Sequence, residues 1–432
     1  MAFTRHPSSS MVLKSIREGA WHRFLKGGLL IGRLHAPPLC RERFVRSNMY
    51  TLSSNGKATE SKGLVVDLRS DTLTSPSLEM RKAIYEAEVG DDGLRADPTI
   101  EGLQKRIAKI LEKEDALFMP SGTMSNLVAV LAHCNSRGSK VLIGHKSHIY
   151  LHEDGGVSEL GGVMVNTIQN NSDGTFDLDQ MEKKWCGSVA VGSSLVCIEN
   201  TFGHGGCVLP LDFVDEIGFR LSKKKIPLHM DGARLFNAAV YLKVPASRLV
   251  KDCSSVSVCL SKGLGAPVGS LLVGSHDFIE RARRLRHILG GAMRQVGVLG
   301  AAGHVALDIG VERLAEDHQR MHNLATGLSN MKSLSLTLNL DLVHTNIIII
   351  QVNPKCCTAG ELVERLDQVT NEEEVVIGKS VKIKCYEIDP QEIRFVTWNG
   401  ITDSDIDDAI RKLSYVVKEL DDKLINSSVS QG

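Results

Sequence analysis

The feature that most limits how this chain can fold is an alternation, from Leu64 onward, of short apolar runs with stretches of helical periodicity. Ala116-Leu117-Phe118-Met119, Lys140 to Ile143, Gly162 to Ile168, Ser194 to Glu199, Ile226 to Met230 and Ser255 to Leu260 read as strands. Ile100, Leu103, Ile107 and Leu111 share one face of a helix, and Met124 to Cys134 forms a second helical run. Strands this apolar are buried on both faces, and their alternation with helices implies a mostly parallel sheet covered on either side. In sheets of that kind ligands bind beyond the carboxyl ends of the strands. The residues that close each strand are therefore where chemistry should be sought.

A change of pattern follows the long helical stretch from Val296 to about Lys332. Strand-like Thr345 to Val352, an amphipathic helix near Glu361 to Gln368, Glu392 to Thr397 and a final helix from Asp403 to Leu424 read as a smaller α+β domain. The expected division is 1–60 as a leading segment, 61–315 as the large domain and 316–432 as the small one. A chain of 432 residues is long enough for both cores. Zero formal net charge gives no electrostatic footprint for nucleic acid or acidic membranes, and no apolar run approaches the ~18–20 residues that span a bilayer.

The leading segment is different in kind. Arg5, Lys14, Arg17, Arg23, Lys26, Arg33, Arg41, Arg43 and Arg46 face only Glu18 and Glu42, the composition of a mitochondrial transit peptide. A basic extension with no address, on a cytoplasmic protein, is the alternative. The ten cysteines are scattered without a CxxC pair, which fits reduced, buried thiols better than a disulfide framework or a zinc site.

Three strand ends carry chemistry. The run Ser257-Val258-Cys259-Leu260-Ser261-Lys262-Gly263-Leu264-Gly265 ends a strand on a lysine, which is costly to desolvate unless paired or used as a neutral amine. Schiff-base formation with an aldehyde cofactor is such a use. Upstream, Pro227 to Arg234 ends a strand on Asp231, with Arg234 in the next turn. A carboxylate is what the pyridine nitrogen of pyridoxal phosphate (PLP) requires if the ring is to act as an electron sink. Pro120-Ser121-Gly122-Thr123 then opens a helix after a strand, so free amides and hydroxyls could cradle a phosphate. Each part has a plain alternative: a solvated lysine, a helix-capping aspartate, an ordinary N-cap. Their order along the chain is that of PLP enzymes with the aspartate-aminotransferase fold.

The chain also resembles the threonine aldolase family. The resemblance rests on Val66-Asp67-Leu68-Arg69-Ser70-Asp71-Thr72, Gly90-Asp91-Asp92, Ser147-His148-Ile149-Tyr150, Glu199-Asn200-Thr201 and His229 to Arg234. Ser261-Lys262-Gly263-Leu264, Gly290 to Gln295 and Arg394-Phe395-Val396-Thr397 extend it. It implies an α/β protein of PLP fold type I, with a mostly parallel seven-stranded sheet and a smaller C-terminal α+β domain. It implies a homotetramer, a dimer of dimers with active sites at the dimer interface, and cleavage of L-threonine or L-allo-threonine to glycine and acetaldehyde. Carried onto this sequence, Lys262 bonds to the cofactor and Asp231 faces its ring nitrogen. Ser121, Gly122 and Thr123 bind phosphate, and Arg294 reaches the phosphate of a neighbouring subunit. Arg394 and Ser70 hold the substrate carboxylate, with Arg234 supporting the cofactor oxygen and that carboxylate. His148 stacks on the ring or serves as the base that takes the hydroxyl proton. A metal shared by His145 and His148 has no further ligands to complete it.

Four positions depart from the family pattern. Phe202 stands where a histidine usually contacts the substrate hydroxyl, with His204 nearby as a possible replacement. Leu94, His287 and Trp398 replace a customary tyrosine, lysine and histidine. The cofactor residues are retained while the hydroxyl pocket is altered. A PLP enzyme of another reaction type (a racemase or β-eliminase), or a PLP-binding protein with weakened catalysis, are the competing expectations.

Overall fold

The computed structural model describes residues 63–186 and 193–429, so the basic leading segment lies outside the described residues. The first strand, β1 (Leu64–Asp67), precedes seven that build the central sheet: β2 (Asp115–Met119), β3 (Lys140–Gly144), β4 (Met164–Ile168), β5 (Ser193–Glu199), β6 (Leu228–Gly232), β7 (Ser255–Cys259) and β8 (Ser270–Gly274). Their spatial order is β2-β8-β7-β6-β5-β3-β4. β4, β3, β5, β6 and β7 run parallel, and β8 runs antiparallel to both β7 and β2. The sheet is thus the mostly parallel, helix-covered one that the apolar runs imply.

Period-two alternation in a strand sends successive side chains to opposite faces. In β6, Leu228 and Met230 enter the largest apolar cluster, together with Ile107 of the helix Pro98–Ile110 and Leu235. His229 and Asp231 therefore face the other way, toward the helix Gly122–His133, where Asn126 meets both. β5 divides likewise, Val196 and Ile198 joining the first cluster and Leu195 and Cys197 a second one with Val130 and Ile143. Both faces of the sheet thus carry apolar anchors, and polar residues gather at the carboxyl ends on the face of the helix Gly122–His133.

The remaining strands are β9 (Leu336–Thr337), β10 (Ile347–Val352), β11 (Val381–Lys384), β12 (Tyr386–Asp389) and β13 (Glu392–Val396). Four of them form the antiparallel sheet β12-β13-β10-β9, and β1 pairs in parallel with β11. Val66 and Leu68 pack with Phe395, Ile350 and Leu413 in the cluster beneath the helices Val311–Asn330 and Asp403–Val429. The first strand of the described chain therefore joins the C-terminal α+β layer, although it stands first in sequence. Strand pairing over that separation leaves no local signal.

The loop from β7 to β8 carries Lys262. Leu260 N–H donates to Gly269 O at 3.0 Å and Ala266 N–H to Leu260 O at 3.0 Å, closing the loop on itself. Gly269 has φ +111°, and a Cβ there would lie 2.3 Å from the Phe118 ring. Replacing Gly269 by alanine should cost about 2–5 kcal/mol, combining an unfavoured backbone conformation with overpacking. Urea unfolding of G269A against the parent would check this, and a variant of parental stability would show that the loop is not held as described.

Candidate active site

Parallel pairing sets Glu199 at the end of β5 directly beside Asp231 at the end of β6. Lys262 follows β7, the next strand over. The three sequence-selected parts (phosphate-type turn, aspartate and lysine) are thus gathered at one edge of one sheet. Among the described residues the Lys262 ammonium makes no ion pair, while its charge acts on Asp71 and Glu199.

Asp231 is 3% exposed, and burial removes the water that would satisfy its oxygens. Two donors replace it: Asn126 Nδ2 at 2.8 Å and Ala233 N–H at 3.0 Å. The same Asn126 amide donates to Glu153 Oε1 at 2.9 Å, and Glu153 Oε1 lies 3.0 Å from His148 Nδ1. Behind Asn126, its Oδ1 meets His229 Nε2 at 3.2 Å, and His229 Nδ1 meets Ser255 Oγ at 2.9 Å. His133 Nε2 closes the chain on Ser255 at 2.8 Å. Burial pushes His229 down to about 4 and His133 to about 3, so both rings are neutral at physiological pH. His148, Glu153 and Asp231 bring ligand-type atoms within 4.8 Å of one another. The point between the two carboxylates is already served by the Asn126 amide, which suits a hydrogen-bonded frame.

A second frame spans the two layers. Arg234 clamps Asp71 through Nε and Nη2, both at 2.7 Å, and Asn346 Nδ2 donates to Asp71 at 3.2 Å. Burial alone would raise the Asp71 carboxyl, but Arg234 overrides it and holds the pKa below the usual range. Arg234 is thus committed to Asp71 rather than standing free. Arg394 on β13 is different: Nη1 donates to Gly203 O at 3.4 Å, and its buried Nε has no partner among the described residues. Burial, with Arg234 adding its charge, lowers Arg394 to about 10, so it still carries a proton at neutral pH. A buried, underused guanidinium suits a carboxylate.

The other expected residues are placed as follows. Ser121 caps the helix Gly122–His133 by accepting from Met124 N–H at 3.1 Å, and Ser121 and Thr123 are open to solvent. Ser70 accepts from Thr72 N–H at 3.2 Å and caps the short turn that places Asp71. Arg294 is solvent-exposed and lies 3.5 Å from Asp91. His204 Nε2 is 3.0 Å from Glu392 Oε2 and 3.3 Å from Lys146 Nζ, at the wall of a cavity of about 500 Å³. Its hydrogen bond holds Glu392 down to about 2. Phe202 is 2% exposed, packed where a Cβ on Gly174 would collide with it. Phe202, which replaces the usual histidine, thus offers no polar group to a substrate. Leu94 is exposed, and Trp398 Nε1 donates to Asp67 O at 2.8 Å, tying β1 to the end of β13.

Whether PLP fits can be judged from buried polar atoms left without partners. They include Asn200 Nδ2, Thr201 Oγ1, Glu199 Oε2, Ser147 Oγ, Ser270 Oγ and Arg394 Nε. Ser270 Oγ lies 3.6 Å from where Gly122 would carry a Cβ, beside the capped helix start. Orphaned polar groups at a sheet edge call for a polar ligand. Donors at the helix start suit a phosphate, Asp231 a ring nitrogen, and Arg394 an amino-acid carboxylate; the residues present fit the cofactor. Sequence reasoning missed Asn126, Glu153, Glu199 and Asp71 as site residues. Asn126 and Glu153 lie within quoted or adjacent motifs, but their roles depend on meeting across the fold.

Residues 67–353 match the family of beta-eliminating lyases. The chain is 49% identical over 298 residues to a probable low-specificity L-threonine aldolase 2 of Arabidopsis thaliana, covering 66% of this chain and 82% of that one. It is 44% identical over 347 residues to low-specificity L-threonine aldolase 1 of the same plant, covering 79% and 93%. A threonine aldolase structure from Leishmania major superposes with a TM-score of 0.67 at 19% identity, over 81% of this chain and 99% of that one.

Glu199 gives the site a measurable signature. Burial, with Asp231 next to it, raises its carboxyl from 4.5 to about 7. A carboxyl raised on folding contributes stability that is full below its unfolded pKa and is lost as pH rises through the folded one. The parent should therefore lose stability between about pH 4.5 and about pH 7 in a way that E199Q does not. Urea unfolding of both proteins across this range checks it; parallel pH profiles would contradict it.

Proposed function

The chain belongs to the threonine aldolase family, and on that premise we propose that it splits L-threonine and L-allo-threonine between Cα and Cβ, giving glycine and acetaldehyde. The observation that carries this reading is that the underused Arg394, on β13, reaches Gly203 beyond β5, at the sheet edge that carries Asp231 and Lys262. Mere cofactor binding has no need of Arg394, whereas an amino-acid substrate does.

Pyridoxal phosphate, when bound, supplies the electron sink that stabilises the charge left on Cα. Lys262 would hold it through its amine and yield that position to the substrate amine. Ser121, Gly122 and Thr123 would hold the phosphate, with Ser270 beside them. Asp231, fixed by Asn126 and Ala233, would face the ring nitrogen. His148 is oriented by Glu153 through Nδ1, and its ring face would lie over the cofactor. Arg394 and Ser70 would anchor the substrate carboxylate, and Arg234 would act indirectly by keeping Asp71 in place. Anchoring the carboxylate fixes rotation about the Cα–N bond, so that the Cα–Cβ bond, rather than Cα–H, is held for cleavage.

Arg294 and Leu94 are both exposed, as are Leu78 and Tyr85. Such a surface supports a second copy docking here and Arg294 serving the partner's phosphate site, in keeping with a dimer of dimers. The basic leading segment supports delivery to mitochondria.

Replacing Arg394 by glutamine removes a charge-assisted contact of about 1.5–3 kcal/mol. R394Q should lose about 10- to 100-fold in kcat/KM for L-threonine while keeping the cofactor's visible absorption. Steady-state acetaldehyde release against a cofactor spectrum checks both. Unchanged kcat/KM would remove Arg394 from substrate binding, and an unmodified protein that releases no acetaldehyde would remove the aldolase reading itself.

A further inference from the structure

One histidine near the site is unaccounted for. His152 closes the short helix His148–Leu151, its N–H donating to His148 O at 2.8 Å. Its ring centroid lies 5.4 Å from that of His148, and among the described residues its ring nitrogens make no hydrogen bond. Each of the histidines around it has at least one ring nitrogen engaged. His148 is bound to Glu153, His204 to Glu392, His145 to the Asn170 amide, and His229 to Asn126 and Ser255. His152 is half-buried, so an open nitrogen there faces the site or solvent rather than an apolar core.

The charges that act on His152 locate it. They come from His148, Arg394 and His204, while burial, the largest effect, lowers its pKa to about 4 and keeps the ring neutral. It therefore sits beside the His148 ring, which would cover the cofactor, and within the field of Arg394, which would hold the substrate carboxylate. A β-hydroxyl is carried on the carbon next to the one bearing amine and carboxylate, so it falls between those two anchors. Phe202 is sealed into the core and has no polar atom on its side chain, and His204 commits its Nε2 to Glu392 and Lys146.

Resting on the aldolase reading, we propose that His152 binds the substrate β-hydroxyl and accepts its proton. The neutral imidazole nitrogen takes the hydroxyl hydrogen, and the O–H electron pair becomes the second C–O bond of the departing aldehyde. The Cα–Cβ bond breaks, and its electron pair stays on the Cα side. Arrival of the substrate carboxylate offsets the Arg394 charge, which removes one of the influences that disfavour a protonated His152. The hydroxyl specificity of this chain is thus moved to the end of a neighbouring helix, away from the turn that usually carries it.

The test uses the cofactor-loaded protein and one pair of ligands. Calorimetric binding of L-serine and L-alanine measures hydroxyl recognition without turnover of threonine. The serine-over-alanine preference should fall about tenfold in H152F while alanine affinity is retained, which also shows that the variant is folded. H152N should keep the preference, because an amide still hydrogen-bonds, yet lose at least about 100-fold in acetaldehyde release along with H152F. A preference unchanged in H152F, or aldehyde release by H152N within a few-fold of the parent, overturns the proposal. A parent that prefers serine through His152 but releases no aldehyde would support the hydroxyl site and instead overturn the aldolase reading.

Discussion

Burying Asp231 at the centre of a parallel sheet strips its oxygens of water, and the hydrogen bonds from Asn126 and Ala233 replace that water. Much of the site follows from this one substitution of donors. Because a single Asn126 amide serves both Asp231 and Glu153, it fixes the distance between the ends of β6 and the helix that follows β3. Glu153 in turn sets the His148 ring. Behind them, neutral His229 and His133 complete the line through Ser255 without adding a buried charge. The result is a continuous line of hydrogen-bonded polar groups from His148 to His133 at the sheet edge that also carries Lys262.

The second half of the site comes from the C-terminal layer. Asp71 lies just beyond β1, Arg234 just beyond β6, and Asn346 just before β10, and the three meet in one buried cluster. Asn346 also donates to Thr397 O at 3.0 Å, reaching the strand that carries Arg394. The strand that carries Arg394 is therefore tied to the end of β6 through a buried ion pair. Removing one partner of such a pair leaves an uncompensated buried charge, typically a loss of about 3–5 kcal/mol.

Much of this was legible in the sequence, for a physical reason. Lys262 and Asp231 are polar residues ending apolar strands, and a strand end in a parallel sheet is where ligands bind, so the pattern alone locates them. The mostly parallel sheet was legible through its uninterrupted apolar runs. The short β8 was hidden behind the glycine-rich loop, because a five-residue buried run carries no periodicity of its own. The pairing of β1 with β11 was invisible since it joins opposite ends of the chain. Likewise, nothing local to His204 announces that Glu392 holds it, and nothing local to His152 announces that its nitrogens are left open.

The central claim is that Lys262 is the residue that bonds covalently to pyridoxal phosphate. Borohydride reduction of the cofactor-loaded protein, followed by digestion and mass spectrometry, tests it directly, because reduction makes a labile lysine–cofactor bond permanent. The account predicts the cofactor's mass on the peptide containing Lys262, with the label absent from K262A. Label on another lysine, or none on a protein shown to have bound the cofactor, would contradict it.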